Sequence, residues 1–154
     1  MTQRRRLDAY LVDRAVATGV ELRDGTAVSE IRQDGVDENH ARVVIGADGA
    51  NGISRRSLDT QRWNAVALEG NIVVANASIE HYAERLVLEF GTVRGGYGWI
   101  FPKGDHVNVG VGGNGEEASK LRAELHRMCE AYGIDPEAAT ETRGYRLPLR
   151  RSKT

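Results

Sequence analysis

An aspartate and a glycine follow an apolar run in the first third of the chain. The run Val43 to Ile45 is typical of a buried strand, and Asp48 and Gly49 lie in the glycine turn behind it. A carboxylate at a strand end can accept a hydrogen bond from a sugar hydroxyl, and a glycine lets a ligand approach the backbone closely. An ordinary Asp-Gly turn explains the same residues, and the pattern alone favours that alternative.

Two alternating runs, 97–102 and 106–112, form a second candidate site around a turn that contains Gly104. Alternation in a strand places three aromatic side chains on one face, where they make a flat apolar wall: Tyr97, Trp99 and Phe101. In the partner run valines alternate with small or polar residues, so one side packs and the other leaves room for a ligand: Asn108, Gly110 and Gly112. Alternatively, the aromatics belong to the core and the glycines relieve crowding opposite Trp99.

The hairpin resembles the geranylgeranyl reductase family of FAD-dependent oxidoreductases, within the flavoprotein hydroxylase-like superfamily. Its pattern Tyr-x-Trp-x-Phe-Pro, then seven residues, then Gly-x-Gly is similar to the family signature that borders the isoprenoid cavity beside the flavin. The resemblance implies that six residues contact an apolar prenyl substrate: Tyr97, Trp99, Phe101, Pro102, Gly110 and Gly112.

The Asp-Gly turn is similar to the superfamily motif that contacts the ribityl region of FAD. This resemblance implies that three residues bind the cofactor: Asp48, Gly49 and Ala50. Arg55 fits the same motif, whereas Gly52 stands where the family usually has serine. Arg4, at the start of a predicted helix, resembles an arginine near the FAD pyrophosphate, and an arginine suits phosphate in charge and geometry. A solvated cluster of residues 4–6 is the alternative explanation.

Apolar periodicity predicts the elements that must position these segments. Helical spacing predicts amphipathic helices over about residues 5–18 and 116–132, each followed by glycine. Strand-like runs between Gly and Asp-Gly breaks predict strands besides the hairpin: 20–22, 26–31, 41–45, 64–75 and 85–90. These elements predict an α/β fold with α+β character, and the resemblance implies that part of an FAD-binding Rossmann-like fold precedes an antiparallel substrate-domain sheet with a packed helix.

The resemblance also predicts the domain organisation. We expect a partial FAD-binding domain over residues 1–60 and a substrate-binding sheet and helix over 61–154. The family's N-terminal glycine-rich FAD segment and a later Gly-Asp segment have no counterpart here, so the chain is expected to be an internal fragment. The stretch Gly110-x-Gly112-x-x-Gly115 has the form of a dinucleotide fingerprint, but two glutamates at the helix start would repel a pyrophosphate.

The amino-acid composition argues against several classes of protein: nucleic-acid-binding, disulfide-bonded, metal-binding and membrane-spanning. The 21 Lys and Arg residues balance 22 Asp and Glu residues, which predicts no nucleic-acid partner. A single cysteine, Cys129, and four histidines without ligand spacing predict neither a disulfide nor a metal site. No apolar run approaches the roughly 20 residues of a membrane-spanning helix, so we expect a soluble, cytoplasmic protein.

The resemblance implies that the parent protein uses reduced FAD to deliver hydride to a carbon–carbon double bond of a prenyl substrate, with NAD(P)H as a candidate electron donor, and it leaves open whether the 154 residues alone are active. No catalytic acid or base is assigned. Two alternatives stay open: an FAD-dependent aromatic monooxygenase, and a non-catalytic truncated fragment that binds apolar ligands. The expected partner is a small apolar substrate. A second chain that completes the FAD site and peripheral membrane contact of the parent protein are also left open.

Overall fold

A computed structural model of the chain describes residues 3–57, 63–75 and 80–149. The chain divides into two compact units, residues 2–61 and 62–154. The first unit contains one helix and three short strands: α1 (Arg4–Ala17), β1 (Ile31–Arg32), β2 (Gly35–Val36) and β3 (Asn39–His40). The described residues of the second unit include five strands and the helix α2: β4 (Trp63–Ile72), β5 (Val87–Phe90), β6 (Tyr97–Pro102), β7 (Val107–Asn114), α2 (Leu121–Ala131) and β8 (Ala139–Leu149). Helices combined with antiparallel sheets confirm the α/β class with α+β character.

Helix α1 confirms the predicted N-terminal helix. It begins after Gln3, whose carbonyl accepts hydrogen bonds from the N–H groups of Arg6 and Leu7. It ends at Thr18, and Gly19 follows with a φ of +94°, a left-handed conformation that glycine adopts without steric cost. No residue of α1 is buried.

The three strands predicted over 20–22, 26–31 and 41–45 are wrong. Of these residues only Ile31 lies in a strand, and the runs 20–22 and 41–45 have no strand partner within the described ranges. Val43 and Ile45 are 75% and 86% exposed. A strand must pair its backbone N–H and C=O groups, so an apolar run without a neighbour does not form one.

Strands β1 to β3 instead form a tight antiparallel meander, most of which lies between the predicted strands 26–31 and 41–45. Asp37 stabilises it from a backbone φ of +47°. Its carboxylate accepts hydrogen bonds from the Ser29 hydroxyl at 2.7 Å and from the N–H of Glu30 at 2.8 Å. These bonds, that of the Ser29 hydroxyl first, hold the pKa of the Asp37 carboxyl below its ordinary value.

The second unit is built on a five-stranded antiparallel sheet in the order β5-β6-β7-β4-β8. Strands β6 and β7 confirm the predicted hairpin, and Gly104 in its turn has a φ of +97°. Strand β5 lies inside the predicted run 85–90. Strand β4 lies inside the predicted run 64–75 except that it begins one residue earlier, at Trp63. Strand β8 was not predicted; it pairs along the whole of β4, with Trp63 opposite Leu149 and Ile72 opposite Ala139.

Alternation gives this sheet two different faces. One face packs against α2 and forms the core, whose most deeply buried members come from β6, β7 and α2: Ile100, Val107, Val109, Val111, Met128 and Cys129. The other face, called the open face below, carries Trp99 and its register neighbours Leu88 and Gly110. A thin sheet with one packed face can therefore present its second face to a ligand.

Helix α2 is shorter than the predicted helix over 116–132. Residues Gly115–Glu117 form a 3₁₀ turn instead, and the α-helix begins at Leu121. Its apolar side chains face the sheet, as the periodicity predicted. Across the described segments, no helix has the length and apolar character that crossing a membrane requires.

The thiol of Cys129 should be unreactive in the folded chain. Cys129 is 1% exposed in the core. This burial, with a contribution from the charge of Asp135, raises the pKa of the thiol to about 11. Because the thiolate is the nucleophile and an ordinary thiol has a pKa of about 8.5, we expect iodoacetamide at pH 8 to alkylate the folded chain at least ~100-fold more slowly than the urea-unfolded chain.

The same shift makes the free energy of unfolding depend on pH. The unfolded thiol ionises above about pH 8.5, whereas the folded thiol stays neutral up to about pH 11. The stability that the raised pKa of the folded thiol contributes is therefore fully present below the pKa of the unfolded thiol, and it is lost as the pH rises towards 11. Urea titrations at pH 8 and pH 10.5 measure the loss, and a Cys129→Ala variant should lose less. Equal losses in both proteins would contradict the assignment.

Candidate functional site

The open face carries a continuous row of aromatic rings. The ring centroids of Tyr97 and Trp99 lie 5.8 Å apart, and those of Trp99 and Phe101 lie 6.1 Å apart with the rings stacked at 27°. Phe90 of β5 extends the row, 5.9 Å from Tyr97, and is 72% exposed. Tyr97 is also exposed, and Trp99 and Phe101 are half-buried. The core cluster contains none of these aromatics, so the alternative that they are core residues is wrong.

The glycines of β7 lie beside this row. A Cβ atom on Gly110 would sit 2.1 Å from Cζ2 of Trp99, so the indole ring lies directly over the bare backbone. A Cβ on Gly112 would meet Trp99 only at 3.6 Å. Gly110 therefore does relieve crowding opposite Trp99, and it does so on the accessible face of the sheet.

The structure brings five of the six predicted substrate residues together on one face. The sixth, Pro102, pairs with Val107 at the end of β6 and is buried on the face that packs against α2. Alternation along β6 requires this placement, because Pro102 follows Phe101 directly. Pro102 ends the strand and does not lie in the aromatic row.

Three further open-face features escaped the sequence reasoning. Phe90 and Leu88 of β5 widen the apolar wall, and their alternation in the strand was the available signal. Trp99 donates its indole N–H to the amide oxygen of Asn108 at 2.8 Å. Glu69 of β4 is half-buried and stands opposite Gly110, which makes it the nearest carboxylate to the row by strand register.

In the first unit, the Asp48 carboxylate is fixed by Ser54. The Ser54 hydroxyl donates to one carboxylate oxygen, and the Ser54 N–H donates to the other at 2.9 Å. These bonds, the hydroxyl's first, lower the pKa of the Asp48 carboxyl, so it stays an acceptor at neutral pH. A Cβ on Gly52 would lie 2.0 Å from Cγ of Asp48. A serine at position 52 would not fit this turn, and the hydroxyl that contacts the Asp48 carboxylate is that of Ser54.

The surroundings of Asp48 leave room for a ligand. Gly49 has a φ of +75°, and nothing lies within 4 Å of where its Cβ would be. Arg55 donates to the carbonyl of Ala50 at 2.7 Å and so holds the turn. A carboxylate offers about four lone-pair positions; the hydroxyl and the N–H of Ser54 use two of them, and the backbone N–H groups of Asp48 and Ile53 also contact the carboxylate. Asp48, Gly49 and Ala50 therefore fit a sugar-like hydroxyl such as those of the ribityl chain of FAD.

Arg4 is engaged within its own helix. Its guanidinium pairs with the carboxylate of Asp8, one turn away, at 3.1 and 3.2 Å. Both side chains are exposed. This pairing is the ordinary (i, i+4) ion pair of a solvated helix, and a phosphate bound by Arg4 would have to compete with Asp8.

A small cavity lies under α2, on the core side of the sheet. It has a volume of about 20 Å³, and its lining includes Leu68, His126 and Cys129. A space of this size holds about one water molecule and cannot admit a prenyl chain. Among the described residues, the open face presents a wider apolar surface than this cavity does.

A family model described as the geranylgeranyl reductase catalytic domain matches residues 69–140. An uncharacterized protein of Methanosarcina barkeri is 30% identical over 96% of this chain and 40% of its own length. Digeranylgeranylglycerophospholipid reductase 1 of Methanopyrus kandleri is 35% identical over 76% of the chain and 36% of its own length. Geranylgeranyl diphosphate reductase of Rhodobacter capsulatus is 27% identical over 97% and 42%. The chain thus spans about two fifths of the length of these relatives.

Proposed function

Because the chain belongs to the geranylgeranyl reductase family, we propose that it supplies the substrate wall and part of the flavin site of an FAD-dependent reductase acting on a carbon–carbon double bond of a prenyl chain. The aromatic row on the open face carries this proposal. Its rings follow one another at 5.8 and 6.1 Å along β6, which suits a linear apolar chain. The Trp99 indole fills the space over Gly110, so Gly112, which is half-buried, is the glycine that leaves the backbone low beside the row.

The energetics of an apolar ligand favour this face. Burying apolar surface contributes about 25 cal/mol for each Å² removed from water, and aromatic rings bury the largest areas. Phe90, Tyr97 and Leu88 are all substantially exposed, so a ligand on the row would cover apolar surface that is now in contact with water. Trp99 and Phe101, which are half-buried, have rigid rings and lose little entropy on binding.

The flavin supplies the hydride when it is bound, and this chain's part is to hold it. The Asp48 carboxylate, which Ser54 keeps ionised and oriented, would accept a hydrogen bond from a hydroxyl of the ribityl chain. Gly49 and Ala50 give a hydroxyl-bearing chain close access to the backbone. The aromatic monooxygenase alternative is not favoured, because the named relatives are reductases and the aromatic row suits a long apolar substrate.

The substrate part is tested by titrating the chain with geranylgeraniol and following Trp99 fluorescence. The chain has two tryptophans, so a Trp63→Phe background leaves Trp99 as the sole reporter. We expect saturable quenching, and about tenfold weaker binding in a Phe101→Ala variant, because one ring of the row is lost. Leu11→Ala, which removes an exposed apolar side chain from α1, is the control and should bind like the parent.

The cofactor part is tested on the same samples by titration with FAD, followed by flavin absorbance and fluorescence. Binding that weakens in Asp48→Ala supports the flavin role of this turn. Geranylgeraniol binding without FAD binding would favour the non-catalytic apolar-ligand alternative for these 154 residues. Equal geranylgeraniol affinity in the Phe101→Ala variant and the control would contradict the substrate wall.

A further inference from the structure

Asn108 is a buried polar residue beside the aromatic row, and the proposed function gives it no role. It lies on β7 opposite Phe101 and is only 7% exposed. A buried amide is costly unless its donors and acceptor are paired. The partners of Asn108 therefore explain why a polar residue lies within the run 107–113, whose other members are valine and glycine.

The hydrogen bonds of Asn108 form a relay with a fixed direction. The indole N–H of Trp99 donates to Oδ1 of Asn108 at 2.8 Å, and Nδ2 of Asn108 donates to Oδ1 of Asn71 at 2.9 Å. An indole N–H is only a donor, so it forces the amide oxygen of Asn108 towards Trp99 and the amide nitrogen towards Asn71. The relay ties three adjacent strands, β6, β7 and β4, across the open face.

The neighbours of Trp99 do not fix its ring by themselves. Gly110, directly beneath the indole, has no side chain to stop the ring from turning. Phe101 stacks on the indole at 27° and Tyr97 packs at 56°, and neither contact selects which edge of the ring faces the sheet. Among the described residues, the hydrogen bond to Asn108 is the directional contact of the indole.

We propose that Asn108 is a positioning residue that sets the plane of the Trp99 indole and thereby the surface on which an apolar chain lies. Asn71 in turn orients the amide of Asn108, and its own backbone carbonyl accepts a hydrogen bond from the Thr140 hydroxyl of β8 at 3.1 Å. The positioning of Trp99 stands on geometry alone; its effect on a prenyl ligand rests on the proposed function.

The indole N–H signal of Trp99 in a ¹⁵N–¹H spectrum of the Trp63→Phe chain reads the relay directly. In Asn108→Leu, which keeps the bulk but removes the acceptor, we expect this signal to move upfield and to exchange with water at least ~10-fold faster. Asn108→Asp retains an acceptor for the indole, and Asn71 can turn its amide to donate to it. That variant should keep the signal near its parent position.

Ligand affinity is the second readout, measured with geranylgeraniol on variants whose amide spectra show that they are folded. We expect about fivefold weaker binding in Asn108→Leu and less than about twofold in Asn108→Asp. Asn71→Ala, which leaves the Trp99 to Asn108 bond in place, is a further variant and should fall between them. A residue that only stabilises the fold would change the unfolding midpoint without this order of affinities.

An unchanged indole signal in Asn108→Leu would overturn the proposal. So would a signal that moves equally in Asn108→Leu and Asn108→Asp, because the acceptor would then not matter. If geranylgeraniol binds none of the proteins, including the parent, the proposed function fails, and the indole signal alone decides the role of Asn108.

Discussion

Replacing Gly110 with alanine is expected to displace the indole ring of Trp99 and to weaken geranylgeraniol binding by at least ~10-fold. The new Cβ would lie 2.1 Å from Cζ2 and 2.4 Å from Cε2 of a rigid ring. The indole cannot retreat by a small rotation, because its N–H is bonded to Asn108 at 2.8 Å. Overpacking of this kind typically costs 1–3 kcal/mol, so we also expect the free energy of unfolding to fall by about that amount.

Gly112→Ala is the matched control for the displacement of the indole and for the loss of stability, and it is not a control for ligand binding because Gly112 borders the row. It lies on the same strand and the same face, and its Cβ would meet its nearest neighbours, the carbonyl of Val66 and Cβ of Ala67, at 3.2 and 3.3 Å. Neither glycine has a positive φ, so backbone strain does not separate the two variants. Near-ultraviolet circular dichroism and Trp99 fluorescence in the Trp63→Phe background measure the result. Similar effects of the two substitutions would mean that the Trp99 contact is not the cause.

Met128→Ala is expected to lower the free energy of unfolding by about 2–5 kcal/mol, the usual range for truncating a buried methionine. Met128 is fully buried on α2, at 0% exposure. Its sulfur lies over Gly98 of β6, since a Cβ on that glycine would come within 2.5 Å of Sδ. The side chain thus fills the space that the missing side chain of Gly98 leaves, and its loss opens a cavity between helix and sheet.

A double-mutant cycle checks that Met128 and Gly98 are complementary. Gly98→Ala alone should destabilise by roughly 1–3 kcal/mol through overpacking. Combined with Met128→Ala, the methyl group enters the vacated space, so the double variant should be more stable than the sum of the single effects predicts, by about 1 kcal/mol. Glu130→Ala, an exposed position on the same helix, is the control and should change the free energy by less than ~0.5 kcal/mol. Strict additivity would contradict the packing.

The β6–β7 hairpin was predictable because its signals are local. Alternation alone placed Tyr97, Trp99 and Phe101 on one face, and Gly104 marked the turn. The same logic should have excluded Pro102 from the wall, since it follows Phe101 and must point to the other side. Local periodicity thus determined the part of the wall that lies on β6 to within one residue, whereas Leu88 and Phe90 of β5 were missed.

The N-terminal strands and β8 were not predictable in the same way, because strand formation depends on partners elsewhere in the chain. The apolar residues Val43 and Ile45 read as a buried strand, yet within the described residues nothing pairs with them. Strand β8 contains Gly144, Pro148 and several charged residues, which read as a loop. It is a strand because β4 offers it a complete set of backbone partners.

The residues of the candidate site also depend on partners that the local sequence does not show. Asp48 stood out in the sequence, but its orientation by Ser54 depends on a turn in which residue 52 has no room for a side chain. In the sequence, Asn108 was only one of the small or polar residues that alternate with the valines of its run. Its role depends on the register that places it near Trp99 and Asn71, two residues far apart in the sequence.

The strand order of the second unit also constrains how that unit is made. Strand β4 is the first of the five strands to leave the ribosome, yet both of its neighbours, β7 and β8, come later in the chain. The β5–β6–β7 meander can form from neighbouring segments, whereas β4 must wait for distant ones, and closing long loops slows folding. During synthesis β4 is therefore the strand most in need of protection from other chains, and its pairing with β8 is the step that completes the sheet.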